Sequence, residues 1–185
     1  MATVHSEVLV SHVISIEHLI LPKSALRATL LPRLLNTVFH VTSDSAFAGI
    51  QAHGAIHSNR DGTLGATFPQ SVGGFGRARG YVCMFDLRTA SSDQIDHALD
   101  AMYFLDPFAG AQRDPVFLFL RPAEYTHLIA WESARESHEM FVWYVESWYP
   151  GDVPLHAISS ALAVTIERPP DGPHLAALRA ASHRS

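Results

Sequence analysis

His40 and Thr42 stand two apart in the apolar run Val38-Phe39-His40-Val41-Thr42. Strand alternation puts both side chains on one face, where a ring nitrogen and a hydroxyl can jointly hold a ribose or an amide. The same pattern also fits a core histidine bonded to a neighbouring carbonyl. Glu146 is the second group of interest, set among Phe141, Val142, Trp143, Tyr144, Val145 and Trp148. A carboxylate there is costly to bury unless something pairs with it or uses its charge; the other reading is a solvated position on an edge strand. Glu139, in the hydrophilic stretch Glu136-Ser137-His138-Glu139, is the competing acid. The segment Gly73-Gly74-Phe75-Gly76-Arg77-Ala78-Arg79-Gly80 joins four glycines to two arginines. Its backbone can approach a phosphate closely, and Arg77 and Arg79 supply fixed charge for a pyrophosphate or a nucleic-acid backbone, as a substrate or lid loop. It is neither a Walker loop nor a dinucleotide fingerprint, because no Gly-Lys-Ser/Thr follows and the strand comes after the glycines.

The elements that must position these groups follow from the patterning. Residues 38–41 read as a buried strand, with Asp44 or Ser45 capping a short helix that turns Phe47 and Ile50 to one side and stops at Gly54. The polar Ser58 and Asn59 open a long loop over residues 58–80, a length that usually signals a functional segment. Residues 81–87 are a strand of bulky side chains; Asp86 and Arg88 share a face and can pair. Thr89 or Ser91 then caps a helix carrying Ile95, Ala98, Leu99 and Met102. Residues 116–120, 125–131 and 140–148 read as strands, 153–161 as a short helix or helical turn after Pro150-Gly151-Asp152, and 162–166 as a last strand. Before residue 37 lie two apolar segments, 8–21 and 25–35, the second at helical spacing. Strands concentrated after residue 37 predict an α+β fold.

At 185 residues with 48% hydrophobic and 17% charged, the chain suits one domain over residues 1–168, with 1–36 as a lead-in and 169–185 as a Pro-rich tail. A formal charge of −5 argues against a non-specific polyanion binder. The single cysteine, Cys83, excludes an intramolecular disulfide and reads as packing. Twelve histidines are scattered, and His53 and His57 straddle Gly54, so no metal site is expected. No apolar stretch reaches the roughly 18 residues of a membrane helix and no basic leader precedes one, which leads us to expect a cytoplasmic protein.

Taken in order, strand, His-x-Thr, short helix, glycine, Ser58-Asn59, an aromatic strand followed by Arg88, and Glu146 followed by Val153-Pro154-Leu155 resemble the ADP-ribosyltransferase fold. The likeness is greatest to the DarT-like DNA ADP-ribosyltransferase toxins, and it covers residues 37–160. The resemblance implies a split pair of small mixed or antiparallel sheets with flanking helices and NAD bent in the cleft between them. It implies that His40 and Thr42 hold ribose and amide groups, with Ser58, Asn59 and Arg88 on the cofactor and Tyr81, with Phe85 behind it, stacked on nicotinamide. Glu146, with His40, would be catalytic, and the acceptor would be single-stranded DNA or another nucleic acid, in a toxin or defence role. Two other readings stand beside this one: an NAD- or nucleotide-binding domain without transfer activity, and a protein-interaction module. The aromatic run of residues 141–149 would suit a homo-oligomer contact in that last case.

Overall fold

The computed structural model describes residues 14–65, 72–105 and 114–167; the start of the first apolar segment and the Pro-rich tail lie outside them. Nine strands and four α-helices follow in the order β1 (Ser15–Pro22), α1 (Leu26–Leu34), β2 (Val38–Ser43), α2 (Asp44–His53), β3 (Ala55–Ile56), α3 (Phe75–Arg79), β4 (Tyr81–Asp86), α4 (Ser92–Ala98), β5 (Pro115–Leu120), β6 (Ile129–Ala130), β7 (Glu146–Pro150), β8 (Val153–Pro154) and β9 (Ile158–Glu167). Seven strands form a mixed sheet in the order β1-β9-β5-β2-β4-β7-β6, and β3 pairs with β8 in a small second sheet. The fold is thus α+β. In the large sheet only the β1–β9 pair is parallel.

One junction in that sheet is unusually short. Strands β2 and β4 share two residue pairs, Val38–Asp86 and Phe39–Phe85, and backbone bonds from Leu87 to Thr37 and from Asn36 to Leu87 extend the contact away from the middle of the sheet. The sheet therefore consists of a four-stranded block, β1-β9-β5-β2, and a three-stranded block, β4-β7-β6, joined at one end. Beyond Phe39 and Phe85 the two blocks part.

Strand alternation divides the core between the two faces. Phe39, Val41, Phe117 and Leu162 pack with Leu26, Leu30 and Leu34 of α1 and Ile95 and Ala98 of α4. On the other face Val38, Val82, Met84, Leu118 and Ile158 pack with Phe47 of α2. The caps are chemically plain. Ser43, not Asp44 or Ser45, caps α2 by accepting the Ala46 N–H, which leaves Asp44 in the first turn where the helix dipole favours its charge; Gly54 ends the helix at φ 75°. Ser91 caps α4 through a reciprocal capping box with Gln94.

Four expected elements differ. The loop expected over residues 58–80 includes helix α3, Phe75–Arg79, so Arg77 and Arg79 stand on a short helix and not on a lid loop. Residues 140–145 are not strand: Tyr144 takes φ 70° and the Glu146 N–H returns to the Val142 carbonyl, so β7 begins only at Glu146. The segment expected as a strand at 125–131 is mostly a 3₁₀ turn, Pro122–His127, because Pro122 starts a turn and only Ile129–Ala130 reaches β7. The helical turn expected over 153–161 shrinks to Leu155–Ala157, and β9 begins at Ile158, lengthened by its ladders to both β5 and β1.

Candidate functional site

A cleft of about 690 Å³ runs through the opening between β2 and β4, within the size range of small-molecule sites. The register explains how its walls are assembled. Phe39 faces Phe85 and Phe85 faces Glu146, so these three side chains lie on one face of the sheet. His40, the next residue along β2, falls on the opposite face, and Thr42 with it. A continuous sheet would hold Glu146 and His40 on opposite sides. Because the blocks part here, both line the same cleft.

His40 reaches across the gap: its Nδ1–H donates to the Cys83 carbonyl at 2.8 Å. Burial lowers the pKa of the ring, and the carbonyl bond only partly opposes this. The ring is therefore neutral near pH 7, with its proton fixed on Nδ1 and a lone pair on Nε2 that can accept from a hydroxyl or an amide.

Glu146 is 7% exposed and well partnered. Its Oε1 accepts the Trp148 indole N–H at 2.9 Å and its Oε2 accepts the Val142 N–H at 2.6 Å. Burial raises its pKa, while Val142, the Cys83 thiol and Trp148 all favour the charged form. The turn at residues 142–146 has a purpose here, since it brings the Val142 N–H onto the carboxylate. Trp148 is fully buried between Phe75 and Phe141, with ring centroids at 4.4 and 6.2 Å, and so holds Glu146 from a rigid base. Cys83 serves both groups: its carbonyl fixes His40 and its thiol lies beside Glu146, where burial, followed by that carboxylate, pushes the thiol's own pKa well up. It lines the cleft rather than packing wholly into the core.

Of the other residues singled out by sequence, Thr42, Ser58, Asn59, Tyr81 and Arg77 line the cleft. Their roles differ from the expectation in places. The Asn59 side chain closes its own loop, donating to the Leu64 carbonyl and accepting the Leu64 N–H. Tyr81 pairs with Pro150, four residues along the ladder from the Phe85–Glu146 pair and hence about 13 Å from it. Phe85 is the aromatic residue opposite Glu146. Arg88 and Arg79 are not among the cleft's lining. Arg88 makes a bidentate pair with Asp86 and stacks over Tyr125 at 4.2 Å. Arg79 lies over the Phe75 ring at 3.7 Å and bonds Glu139 at 3.0 Å. That arginine, with Ser137, holds the half-exposed Glu139 carboxyl below its ordinary value, so Glu139 is engaged in an ion pair and is not among the cleft's lining.

Sequence reasoning missed Tyr103, whose phenol lies in the cleft and is pushed up by burial and then by the neighbouring Cys83 and Glu146. It also missed the His57–Asp152 pair at the other end. No pattern marks Tyr103; the indole bond of Trp148 was legible, because alternation puts residues 146 and 148 on one face. Among the described residues no cluster of three metal-ligating side chains occurs, and no helix is long and apolar enough to cross a membrane. Comparison with protein-family models, with curated proteins and with solved structures finds no significant match to this chain.

Proposed function

We propose that this chain is an NAD-dependent ADP-ribosyltransferase of the DarT-like kind, with NAD as substrate and a nucleic-acid base as acceptor. One observation carries the reading: His40 on β2 and Glu146 on β7 flank β4 at the closed end of a split sheet. Although they stand on either side of β4, both side chains line the one cleft, whose volume admits a sugar. Glu146 is the only carboxylate of the two candidates that lines the cleft. In this role it accepts the hydroxyl of the nicotinamide ribose and stabilises the positive charge that develops on the anomeric carbon. The carbon–nitrogen bond breaks, nicotinamide leaves with the electron pair, and a lone pair of the acceptor base bonds the anomeric carbon as the base gives up a proton to solvent. The neutral His40 ring accepts a hydroxyl or amide donor from the same half of NAD. Phe85 and Tyr103 are the aromatic groups near Glu146 that suit nicotinamide, in place of Tyr81. Trp143, 41% exposed and stacked on Phe141 beside the same end of the cleft, suits an acceptor base.

Incubation with NAD and measurement of nicotinamide release tests this. Release should occur, fall at least about 10²-fold in Glu146→Gln and persist in Glu139→Gln. No release, with no thermal shift by NAD, would remove both the transferase and the NAD-binding readings. A toxin role adds the expectation that expressing the wild type, but not Glu146→Gln, arrests growth of the host.

A further inference from the structure

Tyr144 holds a strained backbone conformation two residues before Glu146. Among the described residues three non-glycines take a positive φ: Asn36 and Asn59, whose residue type tolerates it, and Tyr144 at 70°, whose bulk does not. Such a conformation persists only where the surroundings over-determine it. Here the ring does so. It stands edge-on to His97 of α4 at 5.4 Å and to Trp131, which opens the 3₁₀ turn Trp131–Ala134, at 5.0 Å, and it packs against the core cluster that includes Ile95 and Val145. Tyr144 is not among the cleft's lining, so what it does for the site it does through the backbone.

The left-handed residue folds the chain back between Val142 and Glu146, where the contact is reciprocal. The Glu146 N–H donates to the Val142 carbonyl at 3.0 Å, and the Val142 N–H donates to Glu146 Oε2 at 2.6 Å. We propose that Tyr144 is a positioning residue: its wedged ring holds the left-handed turn that aims the Val142 N–H at Glu146 and so fixes that carboxylate in the cleft. Burial works against the charge on Glu146, and the Val142 N–H is the largest of the groups that favour it. The titratable groups around the carboxylate are Cys83 of β4, Tyr103 after α4 and, lining the same cleft, His40. None belongs to the turn, so a substitution at Tyr144 reaches Glu146 through Val142. The consequence for turnover rests on the transferase reading; the effect on Glu146 itself does not.

Tyr144→Val and Tyr144→Gly separate this role from packing. Both remove the ring, and glycine removes more of the side chain, but glycine adopts the left-handed turn freely whereas a β-branched residue opposes it. The first measurement needs no turnover: carbon-13 NMR titration of the Glu146 carboxyl in the full-length chain, assigned with Glu146→Gln. Tyr144→Val should move the Glu146 titration to higher pH, because a donor to the ionised form is lost, and Tyr144→Gly should stay close to wild type. The second is the pH profile of nicotinamide release. Release near neutral pH should fall at least about tenfold in Tyr144→Val, with the acid limb moved to higher pH, and should fall less in Tyr144→Gly. Should Tyr144→Val not fold, Tyr144→Ala against Tyr144→Gly makes the same comparison. A Glu146 titration that shifts equally in both variants, or more in the glycine one, would reduce Tyr144 to packing and overturn the proposal, whether or not NAD is turned over. The expected order of titrations in a chain that releases no nicotinamide would keep Tyr144 as the residue that positions Glu146 and overturn the transferase instead.

Discussion

Trp148→Phe tests the internal support of the site most directly. The indole is fully buried, and its N–H donates to Glu146 Oε1 at 2.9 Å. Phenylalanine keeps a ring against Phe75 and Phe141 but removes the donor. A bond to a charged acceptor is worth ~1.5–3 kcal/mol, and the lost ring atoms, equal to one or two methylenes, add ~1–2 kcal/mol. The sum, ~2.5–5 kcal/mol, should lower the melting temperature of a 185-residue chain by roughly 5–20 °C. The pH dependence has a definite sign. Glu146 has a raised pKa in the fold, so its ionised form weakens the folded state as pH climbs from the ordinary carboxylate value through the raised one. Removing a donor to that ionised form raises the pKa further. The stability deficit of Trp148→Phe should therefore be largest at neutral pH and shrink in acid, and the acid limb of nicotinamide release should move to higher pH, with activity partly restored there. Melts followed by near-ultraviolet circular dichroism across pH, beside a pH–rate profile, measure both. A deficit equal in acid and at neutral pH, with an unmoved acid limb, would refute the claim that the indole sustains the Glu146 charge.

Gly76→Ala places a Cβ 2.4 Å from Trp148 Cδ1, and because that ring is locked by its neighbours the variant should lose ~1–3 kcal/mol in denaturant melts and also impair nicotinamide release. Ser91→Ala removes the capping box of α4 and should cost ~0.5–2 kcal/mol with no effect on release, since Ser91 is exposed and does not line the cleft. Phe85→Leu should reduce kcat/KM for nicotinamide release more than Tyr81→Phe does, because the register sets Phe85, not Tyr81, opposite Glu146; the reverse order would favour Tyr81 as the nicotinamide platform.

Much of the frame was legible in the chain. The runs at β2, β4 and β5 are short, apolar and bulky, and Gly54 and Ser91 punctuate them as their chemistry dictates. What misled was hydrophobicity without periodicity. Residues 140–145 are as aromatic as any strand, yet Tyr144 is left-handed and the segment turns on itself to bring a backbone N–H to Glu146. Composition cannot report that, because the gain lies in one hydrogen bond to a carboxylate rather than in a ladder. Arg79, Arg88 and Glu139 illustrate a second limit. Each has a cleft-like neighbourhood in sequence, but a partner two residues or sixty residues away claims its charge. Asp86 was readable as the near partner of Arg88; the Arg79–Glu139 pair required the fold. The His57–Asp152 contact, across 95 positions, exists only because β3 lies against β8.

The parting of β2 from β4 gives this protein two strand edges inside its own structure. Residues 41–43 and 81–84 each have a ladder on their outer side and none towards each other. Alternate backbone N–H and C=O groups of both edges thus face inward, as those of a sheet margin face water. The Cys83 carbonyl is already taken by His40. A flat carboxamide entering there meets the same donors and acceptors that a neighbouring strand would, and can bridge the two blocks as a missing rung. Recognition built from main chain in this way does not depend on which side chains flank it, so the grip on such a group can survive extensive change in the surrounding sequence as long as the strands remain apart.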